Sequence, residues 1–243
     1  MGHRGAAAHA PENTLAGFRM AKALGCAWVE FDVRLTADGV PVLCHDSRLN
    51  RTTDGTGAVA ALPLAAVRSC DAGRRFGARF AGEAVPTLDE ALACAGELGL
   101  GVNIEIKADR GLAAATAAAV AAVLARGDRP HEVLVSSFDI AALAALRKLS
   151  PAMPTGLLLN RLRRDWAALA ADLGCATINL DHRRVRPARV AMLAAAGYRV
   201  LAYTVNDPAR ARQLFEWGVT SVFSDNPDII LASAASTRQG AAG

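Results

Sequence analysis

Short runs in which apolar and polar residues alternate recur along the chain, separated by longer amphipathic stretches. The run Ala27 to Leu35 (AWVEFDVRL) alternates with β-branched and aromatic residues and so predicts a strand. Side chains two apart on a strand share a face, so Trp28, Glu30 and Asp32 stand together, opposite Val29, Phe31 and Val33. Thr36-Ala37-Asp38-Gly39 reads as a tight turn and Val40 onward as the returning strand. Pairing Leu35 with Val40 in that hairpin sets Glu30 opposite His45.

Upstream, Asn13 or Thr14 caps a predicted helix that runs to about Leu24. Residues 47–84 are irregular and rich in Gly and Arg, and Thr87 then caps a helix through about Leu98. From there the pattern becomes regular. Strands at 102–107, 132–136, 155–159, 177–180, 199–205 and 221–224 alternate with helices near 112–126, 139–149, 165–173, 187–196, 208–217 and 227–234. This rhythm implies right-handed βαβ units and a parallel sheet. Its natural closure is α/β, a single (β/α)8 TIM barrel over residues 1–235, with the hairpin and a small insertion (47–84) between strands 2 and 3. Residues 236–243 are small and polar and read as a disordered tail.

Composition agrees with one folded domain: 243 residues, 52% hydrophobic and 21% charged. The five cysteines are odd in number and scattered, which argues against a disulfide framework or zinc site and for a reducing compartment. The chain opens in polar sequence without a signal-peptide pattern, and no apolar run approaches the roughly 20 residues of a membrane span, so it reads as cytoplasmic with no stable membrane insertion. Net charge is +4, and the arginine runs at 161–164 and 183–186 have few aromatics near them. Nucleic acid is therefore not expected as a partner, and these runs read as solvated loops and helix starts.

Barrels of this kind build their sites at the C-terminal ends of the strands. His3-Arg4, Glu30/Asp32 and Glu105-Ile106-Lys107 all fall there. Neighbouring carboxylates repel and are expensive to bury unpaired. Glu30, Asp32 and Glu105 therefore call for a shared cation, and an all-oxygen set suits one divalent ion, Mg²⁺ or Ca²⁺. Arg4 and Lys107 add positive charge to that mouth, which calls for an anionic small-molecule substrate with a phosphate. His3 and His45 can share proton transfer as base and acid. Asp46 either orients His45 or caps the turn.

The ordered set His3-Arg4-Gly5, Pro11-Glu12-Asn13-Thr14, Glu30-x-Asp32, Asp38-Gly39, His45-Asp46, Pro86-Thr87-Leu88, Glu105-Ile106-Lys107, Tyr203-Thr204-Val205-Asn206 and Ser224-Asp225-Asn226-Pro227 resembles the glycerophosphodiester phosphodiesterase family over essentially the whole chain. The resemblance implies metal-dependent hydrolysis of glycerophosphodiesters to sn-glycerol 3-phosphate and an alcohol. It implies Glu30, Asp32 and Glu105 as metal ligands, His3 and His45 as the acid–base pair, and Arg4 and Lys107 as phosphate-binding groups. Attack by water or by the substrate's own 2-hydroxyl is compatible with these residues. Tyr203 stands where the family usually has Trp, in the apolar wall for glycerol, so the ring is kept and a hydroxyl is added. Only Met1-Gly2 precede His3, where the family carries several apolar residues of a first strand. That predicts an open barrel edge and a native start upstream of Met1. Two other readings compete: a barrel phosphodiesterase acting on phospholipid headgroups or lysophospholipids, and a non-catalytic phosphodiester-binding barrel.

Overall fold

The computed structural model describes residues 1–126 and 132–240. Strands β1 (Trp28–Leu35) and β2 (Pro41–Leu43) form an antiparallel hairpin. Parallel to β1 follow β3 (Gly101–Ile106), β4 (Val133–Ser137), β5 (Thr155–Leu159), β6 (Cys175–Asp181), β7 (Arg199–Tyr203) and β8 (Ser221–Val222), in sequence order around the sheet. The helices are α1 (Leu15–Ala23), α2 (Leu64–Arg68), α3 (Leu88–Glu97), α4 (Ala113–Leu124), α5 (Ile140–Leu149), α6 (Trp166–Asp172), α7 (Pro187–Ala195), α8 (Pro208–Glu216) and α9 (Pro227–Gly240). The molecule is a TIM barrel, as the alternation predicts. Among the described residues no helix is long and apolar enough to cross a membrane.

Local sequence explains where the helices start. Thr14 accepts from Gly17 N–H at 3.1 Å, Thr87 and Glu90 form a reciprocal capping box, and Asp139 accepts from Ala141 and Ala142. Pro opens both α7 and α8, where a missing N–H costs nothing. Asn13 is not the cap of α1, because its side chain is committed to Asp32.

Strand alternation sorts the core into two compartments. Val29, Phe31, Val33, Val102, Ile104 and Ile106 face outward and pack with helix residues such as Phe18, Leu88 and Val120. The inward positions carry the polarity. Leu134, Leu201 and Phe223 cluster with Met1, Trp28 and Tyr203 as an apolar plug inside the barrel. Asn103, Ser136, Thr177 and Asn179 are likewise buried, and so are Glu30, Asp32 and Glu105. Gly101 is required beside Trp28, since a Cβ there meets the indole at 2.5 Å. The 47–84 insertion has its own small core, in which Leu49, Val59, Val67 and Ala72 pack with Val42 and Cys44 of the hairpin arm.

Three predicted details are corrected. The barrel edge is closed by residues 1–3: Gly2 donates to Trp28 O and accepts from Glu30 N–H, while His3 N–H donates to Ser224 O and Ser224 N–H to Met1 O. So short a stave suffices because its neighbour β8 is itself only two residues long. The hairpin register is displaced by one, with Leu35 opposite Pro41 and Val33 opposite Leu43. The reason is that Thr36 N–H bonds Val40 O, which adds a residue to the turn. His45 then reaches the barrel mouth from beyond the end of β2, not from a position opposite Glu30. Finally, α9 runs to Gly240, through part of the predicted tail; 241–243 lie outside the described residues.

Gly5 ties the N-terminal stave to α1. Its φ is +93°, and a Cβ would lie 2.7 Å from the Gly17 carbonyl carbon. Gly5→Ala is expected to cost about 2 kcal/mol and lower Tm by roughly 5 °C. Unchanged Tm in calorimetry contradicts the assigned packing.

Candidate active site

The carboxylates meet because β1 and β3 run in parallel register. Asp32 lies beside Glu105, and Glu30 beside Asn103, all on the inward face. Glu30, Asp32 and Glu105 are 2, 1 and 8% exposed, and each offers an oxygen within 4.8 Å of the others. So dense a negative cluster is tolerable only with compensation. Lys107 Nζ lies 2.6 Å from Glu105 Oε1 and 3.5 Å from Asp32 Oδ1, and Arg4 Nε lies 3.3 Å from Asp32 Oδ2. The Arg4 main-chain N–H donates to Glu30 Oε2 at 3.0 Å. To do so Arg4 adopts φ +51°, in the left-handed region that non-glycine residues rarely visit. Asn13, also left-handed at φ +56°, donates to Arg4 O through its main chain and to Asp32 Oδ2 through its amide. Arg4 is thus held over the carboxylates by its own left-handed turn and by the bond from a second left-handed residue, Asn13.

Compensation is unequal. Burial, reinforced by the Asp32 charge, pushes Glu30 up to about 8 and Glu105 up to about 7. Burial opposes ionisation of Asp32 as well, but Lys107 and Arg4 outweigh it and hold Asp32 below the usual carboxylate range. Glu30 Oε1 and the neighbouring Asn103 Oδ1 are buried with no hydrogen-bond partner among the described residues. Unclaimed oxygens beside an ionised carboxylate, in an all-oxygen set, fit a hard divalent cation.

Both predicted histidines reach this cluster, and each is gripped at Nδ1. His3 Nδ1 lies 2.6 Å from Asp225 Oδ1, while its Nε2 is 3.9 Å from Glu30 Oε2. Asn206 donates to Asp225 Oδ2 at 2.6 Å and fixes that carboxylate in turn. Burial lowers the His3 pKa, but the bond to Asp225 and the charge of Glu30 win, and the ring titrates above the ordinary histidine value. His45 Nδ1 lies 2.7 Å from Asp46 Oδ1, so Asp46 orients the ring. There burial prevails over the Asp32 charge, and the pKa falls.

Behind His45 the chain continues through charged groups. Arg51, from the insertion, donates to Asp46 Oδ2 at 2.7 Å and to both oxygens of Glu12, which accepts from Arg4 at 2.8 Å. Arg34 donates twice to His45 O and also to Lys107 O, pinning the two main-chain segments together. Residue types alone gave no role for Arg34, Arg51, Asp225, Asn206 or Phe138. Glu12, Asn206 and Asp225 lie within the short motifs, which were the available signal. Arg34 and Arg51 have none: Arg34 bonds the carbonyls of His45 and Lys107 and the carboxylate of Asp109, and Arg51 links nearby Asp46 to the distant Glu12.

A cavity of about 230 Å³ collects these groups: His3, Arg4, Glu30, His45, Asn103, Glu105 and Lys107 line one side, and Phe138, Leu158, Tyr203 and Phe223 the other. Phe138 stands edge-on to Tyr203 at 5.6 Å and lies under Lys107 Nζ at 5.5 Å. The Tyr203 hydroxyl donates to Asn160 Oδ1 at 3.2 Å. A larger cavity, about 580 Å³, sits between β8, α8 and α9 with Met1, Val222 and Ile230 in its wall. It lacks the convergent ionisable groups, so chemistry, not volume, selects the barrel mouth.

A model of the glycerophosphoryl diester phosphodiesterase family matches residues 3–229. A glycerophosphodiester phosphodiesterase of Caldanaerobacter subterraneus is 31% identical over 94% of this chain and 94% of its own. The structure of an Oleispira antarctica phosphodiesterase in complex with the product sn-glycerol-3-phosphate superposes with TM-score 0.93 at 38% identity, covering 96% of this chain and 95% of that one. A structure named as a glycerophosphoryl diester phosphodiesterase from Silicibacter pomeroyi gives TM-score 0.87 at 32% identity, covering 97% and 92%.

The raised carboxyl pKa values set a pH test. For Glu30 and Glu105 the folded value exceeds the ordinary 4.5, so their contribution to stability is complete below that value and is lost as pH climbs through about 7 and 8. A cation that takes the ionised forms reverses that loss and competes with protons. The rise in Tm on adding Mg²⁺ or Ca²⁺ is therefore expected to be larger near pH ~8.5 than near pH ~6. An increment that is equal, or larger in acid, contradicts this site as the binding locus.

Proposed function

The chain belongs to the glycerophosphoryl diester phosphodiesterase family, and from that premise we propose how the residues of its mouth divide the work of hydrolysis. The protein is an enzyme that cleaves glycerophosphodiesters to sn-glycerol 3-phosphate and an alcohol. The carrying observation is one cavity lined by Glu30 and Glu105 of a buried carboxylate triad and by two imidazoles, each with its Nδ1 already taken by an aspartate.

Glu30, Asp32 and Glu105 would hold one divalent cation, Mg²⁺ or Ca²⁺, which when bound supplies Lewis-acid polarisation and neutralises phosphate charge. Arg4 and Lys107 offer N–H donors to the phosphate oxygens, and those bonds strengthen as negative charge grows in the transition state. Because Asp225 and Asp46 occupy Nδ1, His3 and His45 are left with Nε2 for proton transfer. One Nε2 takes the proton of the attacking hydroxyl, and the other delivers a proton to the alcohol oxygen as its bond to phosphorus breaks. Asp225 and Asp46 fix the tautomers and stabilise whichever ring becomes imidazolium. Phe138 and Tyr203 form an apolar wall of the substrate pocket. The five cysteines are free, which favours a cytoplasmic setting.

Two measurements decide this reading. Release of glycerol 3-phosphate from glycerophosphocholine and glycerophosphoethanolamine is expected with Mg²⁺ or Ca²⁺, is abolished by chelator, and falls at least about 100-fold in Glu105→Ala. Activity that persists in chelator, or in that variant, overturns the triad's role. His3→Ala and His45→Ala should each lower turnover by roughly 10²-fold or more. With a p-nitrophenyl leaving group, which departs without a proton, one of the two variants recovers and the other does not. Recovery of both, or of neither, rules out the acid–base pairing.

A further inference from the structure

The arginine runs 161–164 and 183–186, remote in sequence, are brought together by the fold. Arg161 follows β5, Arg183 and Arg184 follow β6, and Arg186 and Arg189 stand at the start of α7; with Leu162 these five line a cavity of about 330 Å³. Its charge is largely uncompensated. Arg183 is held by Asp181 at 2.8 Å, but among the described residues Arg161, Arg184, Arg186 and Arg189 have no carboxylate within ion-pair distance. Arg186 donates to the carbonyls of Arg183 and Val185, and Arg189 to that of Arg184. Those bonds position the guanidinium groups without cancelling their charge. Arg210, bonded to the carbonyls of His182 and Val185, is held below the ordinary guanidinium range by burial and then by the charge of Arg186.

Like charges around a small void repel, and the planar guanidinium fork matches phosphate oxygens. The location matters more than the charge alone. Tyr203 lines the catalytic cavity, yet its hydroxyl bonds Asn160, the residue before Arg161, and its register partner on β6 is Asp181, which holds Arg183. The ring that lines the catalytic cavity thus bonds, through its hydroxyl, the residue next to Arg161 of the arginine cavity. Burial raises its pKa, and it responds both to the charge of Glu105 and to that of Arg183.

We propose that the arginine cavity is a subsite for a second phosphate group on the alcohol side of the substrate, reached across Tyr203, so that the enzyme prefers glycerophosphodiesters whose alcohol is itself a phosphate ester. The inference rests on the hydrolytic reading of the barrel mouth and adds the substrate class. The same charges work against a choline or ethanolamine head, which arrives as a cation.

The test compares 1,3-bis(sn-glycero-3-phospho)glycerol with glycerophosphocholine on the metal-loaded enzyme. The bis-phosphodiester is expected to have a KM lower by about tenfold or more, and that preference should shrink as salt is raised. In Arg184→Ala/Arg189→Ala the ratio of the two KM values falls toward one, with the change carried by KM and not by kcat. Absence of a preference in the unaltered enzyme, or a preference that survives in the double variant, overturns the proposal. Titration of inorganic phosphate, followed by calorimetry, separates the sources. Phosphate that binds the unaltered protein more tightly than the double variant, without any substrate preference, makes the cavity a site for free phosphate and overturns the substrate subsite. Should neither substrate be hydrolysed, the reading of the mouth fails, and the same titration decides the arginine cavity by itself. An effect of the double variant on binding to anionic vesicles, with the KM ratio unchanged, makes the patch a membrane contact and also overturns the proposal.

Discussion

Three carboxylates on adjacent strands, each with an oxygen within 4.8 Å of the others and almost no exposure, are the constraint around which this barrel is arranged. Carboxylates left this way in an apolar plug would take up protons. The surrounding sequence is spent on selecting which of them stays ionised. Asp32 receives the charges of both Lys107 and Arg4 and an amide from Asn13, so it keeps its charge, while burial and the Asp32 charge raise Glu30 and, despite its own contact with Lys107, Glu105. That division requires Arg4 and Asn13 in left-handed conformations and a glycine after Arg4, which explains why His3-Arg4-Gly5 and Pro11-Glu12-Asn13-Thr14 are each interpretable only in the presence of the other.

A second layer of charge makes the mouth stiff. From His45 a continuous series runs through Asp46, Arg51, Glu12 and Arg4 to Asp32. Alternating signs let the interior members of the series each meet two neighbours, even where Arg51 and Asp46 remain partly exposed. The series also explains the irregular insertion. Its own small core packs on the hairpin arm and holds the segment from which Arg51 reaches Asp46, behind His45.

Most of the architecture could be read from the chain because helix starts and strand faces are local properties. Thr14, Thr87 and Asp139 mark where helices begin, and the two-residue spacing of Glu30, Asp32, Glu105 and Lys107 marks which face is inward. The site residues assigned from type and spacing all converge on one cavity or its immediate support. What could not be read depends on single hydrogen bonds or on distant partners. One bond from Thr36 to Val40 shifts the hairpin register. Closure of the barrel by residues 1–3 could not be inferred from so few apolar residues, since it rests on main-chain pairing that any side chain permits. Arg34 bonds the carbonyls of His45 and Lys107 besides pairing with Asp109, and no residue type advertises a carbonyl partner.

The contact between His3 and Asp225 joins residues 222 positions apart, and the stave that carries His3 is held in part by Ser224. Local contacts form early in folding and distant ones late. During synthesis the N-terminal stave therefore emerges first and waits, unpaired on one side, until the last strand has left the ribosome. A chain arrested short of β8 can have its buried carboxylates in place and still lack a fixed imidazole. The anchoring of His3 thus waits on the closing of the final seam.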